Sequence, residues 1–276
     1  MKYRIRMEYT HGSETAVLNG SADDICNITM SAHNGITKLT LNSKKEISIQ
    51  SFRIILPYTF SKDCRIFANG FQSWTDTREY MPNEKMDGLS KVVEAYINSP
   101  AAQFTGLNRA GDCTFHKFPR KKGIFYGFSY GYVRSGERTE LIGSMSERTG
   151  YTIITYNTSE NLIYIEKDLE GKTFLGENEI MSFAVIGGNY DAVFDKYFNL
   201  LEIPAPRAER ACGYTTWYNY YSDVTEEIVE RDLKAIGNSG VKINFFQIDD
   251  GYQSAIGDWL TTDQSKFPRG MKAIAD

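Results

Sequence analysis

Across residues 2–188 the chain is written in short runs that alternate apolar and polar positions. That period-2 pattern puts one face of a β-strand into a core and leaves the other in water. Ile36–Leu41, Glu46–Phe52, Gly123–Tyr130, Tyr151–Tyr156 and Leu162–Glu166 are the clearest runs. Turn formers punctuate them, and Asn34-Gly35 and Ser135-Gly136 are dipeptides of the kind that supply the positive φ of tight hairpins. The pattern predicts a meandering antiparallel sandwich. Its length exceeds that of an immunoglobulin-type domain, so two broad packed sheets are expected rather than one small barrel.

The grammar changes at Tyr190. Ala192-Val193-Phe194, Tyr197-Phe198 and Leu200-Leu201 recur at helical spacing, and Pro204-Ala205-Pro206 stops the helix. The charged, proline-bearing stretch Pro204 to Arg210 reads as a linker. After it come a strand (Cys212 to Trp217), a helix (about Thr225 to Asn238) and a second strand (Val241 to Ile248). Asp223 or Thr225 is placed to cap this helix, Val229, Leu233 and Ile236 mark its buried face, and Gly240 stands where a left-handed stop belongs. One β-α-β unit with parallel strands is the minimal piece of an α/β fold. The expected organisation is a sandwich over 1–188, a helix and linker over 189–211, and an α/β segment over 212–276.

Composition narrows the function classes. With 41% hydrophobic and 24% charged residues the chain is an ordinary globular sequence. Aromatic residues reach 13%, with 18 Tyr and 16 Phe. Strand propensity accounts for most of these, and flat rings also suit the C–H face of a pyranose. A net charge of −4 without a basic stripe argues against a nucleic-acid partner. No window approaches 18 uninterrupted apolar residues, which argues against a membrane-spanning helix, and the N-terminal residues lack the apolar stretch of a signal peptide. Cys26, Cys64, Cys113 and Cys212 are scattered without Cys-x-x-Cys spacing, the habit of free thiols in a reducing compartment, so a cytoplasmic location is expected. His11, His33 and His116 show no metal-ligand spacing, and no metal site is expected.

The strongest local signal is Phe245-Phe246-Gln247-Ile248-Asp249-Asp250-Gly251. An apolar strand that ends in two adjacent carboxylates places them at its C-terminal edge, where α/β barrels build their active sites. Ionised, they accept hydrogen bonds from several hydroxyls of a sugar. As an acid/base pair they are less suitable, because adjacent strand residues diverge and a retaining glycosidase needs facing carboxyls about 5–5.5 Å apart. Shaping the turn before Gly251 or capping the next helix is the third reading that the spacing allows.

These blocks together resemble a known family. Gly213-Tyr214-Thr215-Thr216-Trp217-Tyr218, Phe246 to Gln253, Ile256-Gly257-Asp258-Trp259 and Phe267-Pro268-Arg269-Gly270-Met271 resemble, in order and approximate spacing, the start of the catalytic barrel of glycoside hydrolase family 36 α-galactosidases. Asn69-Gly70-Phe71-Gln72-Ser73-Trp74 resembles the segment of that family's N-terminal domain that carries a tryptophan into the active site. The resemblance implies a mainly β fold class, an N-terminal antiparallel β-supersandwich followed by the incomplete start of a (β/α)8 TIM barrel.

For chemistry it implies removal of terminal α-linked galactose from oligosaccharides with retention, in a longer chain. Asp249 and Asp250 would bind galactose hydroxyls around O4 and O6, and Trp217, Tyr218 and Trp74 would form pocket walls. Asp258 and Trp259 would shape the pocket entrance or anchor their loop. The nucleophile and acid/base belong to later barrel strands, so the catalytic carboxylates are expected beyond Asp276, and residues 1–276 alone are expected to be inactive. The chemistry needs no cofactor, and the partner is an α-galactoside oligosaccharide, with self-association left open. An α-N-acetylgalactosaminidase or a galactosyltransferase of the raffinose-synthase kind shares the paired aspartates. From another class, the sandwich can serve as a noncatalytic carbohydrate-binding or assembly module.

Overall fold

The computed structural model describes residues 3–70, 76–86, 91–97, 99–105, 119, 121–204, 207, 209–255 and 257–276. They fall into two compact units, Met1–Ile203 and Pro204–Asp276.

The first unit is built from β1 (Arg4–His11), β2 (Glu14–Asn19), β3 (Cys26–His33), β4 (Ile36–Pro57), β5 (Arg65–Ala68) and β6 (Arg78–Tyr80). After the short helices α1 (Lys91–Ile97) and α2 (Pro100–Thr105) come β7 (Ile124–Phe128), β8 (Tyr130–Ser135), β9 (Arg138–Ser144), β10 (Tyr151–Asn157), β11 (Leu162–Asp168) and β12 (Thr173–Gly188). Helix α3 (Tyr190–Leu200) closes the unit. All twelve strands join one antiparallel sheet in the order β6-β5-β8-β9-β12-β4-β11-β10-β7, with β3 and the β1–β2 hairpin attached to β4. The hairpin signals hold: Asn34 and Gly35 turn β3 into β4 with φ of 51° and 83°, and Gly136 opens the β8–β9 turn at 57°.

The two runs Ile36–Leu41 and Glu46–Phe52 are not separate strands. They form one 22-residue strand, β4, whose first half pairs with β3 and β12 and whose second half pairs with β1 and β11. Between them Asn42 and Ser43 stay paired with β3 and β12, and the register with β12 shifts across Lys44–Glu46, where Ser43 donates to the Lys45 carbonyl (2.6 Å). Opposite Glu8 and Tyr9 a β-bulge at Gln50 adds one residue to β4. Buried positions therefore switch from Leu39, Leu41, Ile47 and Ile49 to Phe52, Ile54 and Leu56, an odd-to-even change that keeps both halves facing one core. The strand thereby carries the sheet around on itself, and one curled sheet provides the sandwich that the alternation implied as two sheets.

α3 covers the outer face of this sheet. Asn189 caps it by accepting from the Ala192 amide (2.9 Å), Val193 and Tyr197 are its buried positions, and the Tyr197 hydroxyl donates to the Ser144 carbonyl (2.7 Å). They pack with Tyr132, Leu141, Ala184 and Ile186.

The second unit pairs β13 (Gly213–Thr215) with β14 (Phe245–Gln247) in parallel through α4 (Trp217–Tyr220), a 3₁₀ turn over Tyr221–Asp223 and α5 (Glu226–Ser239), and ends in α6 (Gly270–Ala275). Thr225 caps α5 by accepting from the Ile228 amide, and Gly240 ends it at φ 73°. Val224, Val229 and Phe267 form the core with Phe246, Ile248 and Met271 around them. The buried face expected of α5 is corrected here. Leu233 is exposed rather than buried, because α5 turns Glu226, Val229 and Asp232 inward, and Ile236 is only half-buried. Phe245 is 48% exposed, since the described part of this sheet has two strands and its core lies on the Phe246 side. Among the described residues no helix is long and apolar enough to cross a membrane, and Cys26, Cys64 and Cys212 are free thiols.

Candidate functional site

The parallel pair β13–β14 brings Thr215, Thr216, Asp249 and Asp250 together at its C-terminal edge. Asp249 is held on three sides. Its Oδ2 accepts from the Thr215 hydroxyl (3.0 Å) and from Gln247 Nε2 (3.2 Å), and its Oδ1 accepts from the Asp250 amide (2.8 Å). Its own amide donates to Thr216 Oγ1 (3.0 Å), and the Thr216 amide donates to the Gln247 carbonyl (3.2 Å), so the threonines lock the strand end.

Asp250 is arranged differently. Its Oδ1 accepts from the Gly251 amide (3.1 Å) and from Gln253 Nε2, while Gln253 Oε1 accepts from the same Gly251 amide (2.8 Å). Its Oδ2 has no hydrogen bond among the described residues. The turn-forming role and an open acceptor thus coexist in one side chain. Gly251 sits at φ 107°, and a Cβ there would lie 2.5 Å from Ser222 Cα. Lys266 ties the same two segments by donating to the carbonyls of Ser222 (2.7 Å) and Gly251 (3.0 Å).

Trp217 and Tyr218 are not at a strand end. The chain turns helical at Thr216, whose carbonyl accepts from the Tyr220 amide (3.1 Å), so both residues lie on α4. Tyr218 is 83% exposed, and Trp217 meets Tyr221 edge-on at 5.2 Å. Asp258 accepts from Thr261 Oγ1 (2.6 Å) and Ser254 Oγ (3.4 Å), and its carboxyl is held below the usual range chiefly by the Thr261 bond. It thereby closes its own loop. The Trp259 ring is exposed, and its carbonyl accepts from the Tyr252 hydroxyl (3.0 Å). Trp74 lies outside the described residues. Of its block, Asn69 is fixed by exchanging hydrogen bonds with the backbone of Phe128 in both directions (2.6 and 3.2 Å).

Sequence reasoning passed over a second carboxylate, Asp232. It is buried on α5 and accepts from the hydroxyls of Tyr214 (2.8 Å) and Tyr220 (2.6 Å) and from Arg231. One anion therefore joins β13, α4 and α5. Burial pushes its carboxyl up, but the bonds from Tyr220, Tyr214 and Arg231 outweigh that and hold it below the ordinary value. Its stabilisation is fully present above the unfolded carboxyl range, near pH 4, and is lost as pH falls through the lower folded value. Asp232→Asn is expected to lower unfolding stability by about 1.5–3 kcal/mol at neutral pH and to flatten the acid limb of the stability curve, as read by urea unfolding from pH 7 to pH 3. An unchanged acid limb would show that the carboxylate contributes nothing. The signal that could have found Asp232 was its position one turn after Val229's row, an acid on the inward face of an otherwise amphipathic helix.

A β-rich unit followed by a β-α-β segment, with two acidic side chains at the end of its second strand, defines the class: a sandwich joined to the start of an α/β barrel. Comparisons with known proteins agree. Residues 194–268 match the family model described as raffinose synthase or seed imbibition protein Sip1. An α-galactosidase from Thermus thermophilus, solved in complex with p-nitrophenyl α-D-galactopyranoside, superposes with a TM-score of 0.57 at 22% identity over 98% of this chain and 46% of its own. The same enzyme in complex with stachyose gives 0.55 at 22% identity, over 90% of this chain and 48% of that one. An α-galactosidase from Lactobacillus brevis gives 0.51 at 10% identity, over 100% and 40%. The chain spans less than half the length of these proteins. The likeness carries the fold along nearly the whole chain, and the family match spans the blocks from Gly213 to Trp259 that resemble glycoside hydrolase family 36.

Proposed function

We propose that this chain is the N-terminal part of an enzyme that processes α-galactosides. In this reading residues 1–188 form the sandwich domain, 189–211 the connecting helix and linker, and 212–276 the start of the catalytic barrel. Asp249 and Asp250 receive hydroxyls of the terminal galactose, with Tyr218 and Trp217 nearby on α4. The observation that carries it is the arrangement of Asp250, one oxygen fixed in its own turn and the other open at the end of a parallel strand. Axial O4 distinguishes galactose from glucose, and a fixed acceptor beside it supplies the choice. The Thermus enzyme, solved with a galactoside and with stachyose, supports this class of ligand. Bond breaking with retention falls to carboxylates beyond Asp276, and free thiols favour a cytoplasmic setting.

Galactosyl transfer is the second reading, favoured by the raffinose-synthase description of the family model. One experiment tests both. The complete reading frame containing this chain is expressed and given p-nitrophenyl α-galactoside with and without a sugar acceptor, and nitrophenol and sugar products are followed separately. Nitrophenol with free galactose indicates hydrolysis, and a galactosylated acceptor indicates transfer. Absence of both products would overturn the proposal. Residues 1–276 alone are expected to release none, because a closed barrel needs about eight strands.

A further inference from the structure

A recess lies wholly in the first unit, between α3 and the sheet, and the chemistry above does not use it. Its volume is about 450 Å³, within the range of small-molecule sites. Its floor is the half-buried Phe67, with Tyr132, only 4% exposed, stacked against it 4.9 Å away and 5° from parallel. Glu79 fixes that floor by accepting from the Tyr132 hydroxyl (3.0 Å) while Arg134 donates to the same carboxylate (2.9 Å). The wall is helical. Tyr190 and Phe194, four residues apart, share one face of α3 and stand perpendicular to Tyr132, at 86° and 89°.

Two acids complete it. Asp191 and Asp195 follow the wall rings by one residue each, line the recess and are exposed. Neither carboxylate makes a hydrogen bond or ion pair among the described residues. Tyr190 remains 46% exposed although its edge already packs on Tyr132, so part of its ring is open to a ligand.

We infer that this recess is a noncatalytic binding subsite for a neutral pyranose. An aromatic floor and wall at right angles receive the C–H face and edge of a sugar ring, and acceptor-only carboxylates one helical turn apart take its hydroxyls. A quaternary ammonium ion also favours aromatic rings beside acids. It is best held by rings on several sides, whereas this recess presents two walls and opens to water. The choice of galactose-bearing sugars as probes rests on the proposed function, while the subsite itself does not.

The test uses the 276-residue chain in saturation-transfer NMR with galactose, glucose and melibiose, and with tetramethylammonium as a separate probe. An Asp249→Asn/Asp250→Asn background removes the barrel-edge acceptors. Sugar binding is expected to persist there, and to weaken at least tenfold in Tyr190→Ala and in Asp191→Asn/Asp195→Asn. Tyr190 packs against Tyr132 and Phe194, so Tyr190→Ala is expected to lower the melting temperature, whereas the two exposed acids are expected to leave it unchanged; both are measured alongside, and the acid variants carry the comparison. Binding that ignores the α3 variants, binding that vanishes with Asp249 and Asp250, binding of tetramethylammonium alone, or no sugar binding would each overturn the subsite. An inactive complete enzyme with sugar still bound at α3 would remove the proposed function and leave the subsite standing.

Discussion

Asp250→Asn in the complete enzyme is expected to lower kcat/KM for p-nitrophenyl α-galactoside by about 10–150-fold, the equivalent of one lost charged hydrogen bond of about 1.5–3 kcal/mol. The substitution is selective by geometry. An asparagine keeps the carbonyl oxygen that accepts from the Gly251 amide and from Gln253, so the turn survives. What changes is the open Oδ2, replaced by a donor where a sugar hydroxyl needs an acceptor. Asp249→Asn is expected to lose a comparable amount by a different route: its carboxylate already accepts from Thr215, Gln247 and the Asp250 amide. An amide there disturbs the position of the strand end as well as its charge. Melting temperatures within a degree or two of wild type, measured beside the kinetics, separate lost binding from lost folding. Wild-type kinetics in both variants would leave the two acids as turn formers only.

Gly251→Ala is expected to destabilise the second unit by about 2–5 kcal/mol, combining an unfavourable backbone region with overpacking. At φ 107° an L-residue is strained, and the added Cβ would meet Ser222 at 2.5 Å from its Cα and 2.7 Å from its carbonyl oxygen. Those are backbone atoms, and Lys266 pins both segments, so neither can yield cheaply. Gly240→Ala is the control. Gly240 has a similar left-handed φ of 73°, but nothing lies within 4 Å of its missing Cβ. Its cost is expected near 1 kcal/mol, the conformational part alone. Urea unfolding of the three proteins distinguishes them, and equal losses at the two glycines would show that the contact with Ser222 is unimportant. Because Gly251 follows Asp250 directly, the first variant is also expected to impair galactoside turnover.

Local features were legible in the sequence, and features set by distant partners were not. The hairpins at Asn34-Gly35 and Ser135-Gly136, the start of α3 after Asn189, and the Thr225 and Gly240 caps of α5 all depend on a few adjacent residues. The unity of β4 depends on partners elsewhere in the chain, since β12 and β3 hold its first half and β1 and β11 its second. A polar stretch reads as a turn until those neighbours are known. The site divides the same way. The acids at 249 and 250 stood out as a pair at the end of an apolar run. Thr215, Thr216 and Gln253 lie within the resembling blocks, but their part in positioning the acids was not legible, because it depends on which oxygen each side chain reaches in the fold. Placing Trp217 and Tyr218 at a strand end failed for want of one fact, the helical turn that begins at Thr216.

The most direct measurement is a crystal structure of the complete protein soaked with galactose. The account predicts the sugar at the C-terminal edge of β13 and β14, with a hydroxyl within about 2.6–3.0 Å of Asp250 Oδ2 and another on Asp249. Galactose bound in the barrel away from both carboxylates, with Asp250 Oδ2 turned into its own loop, would contradict it.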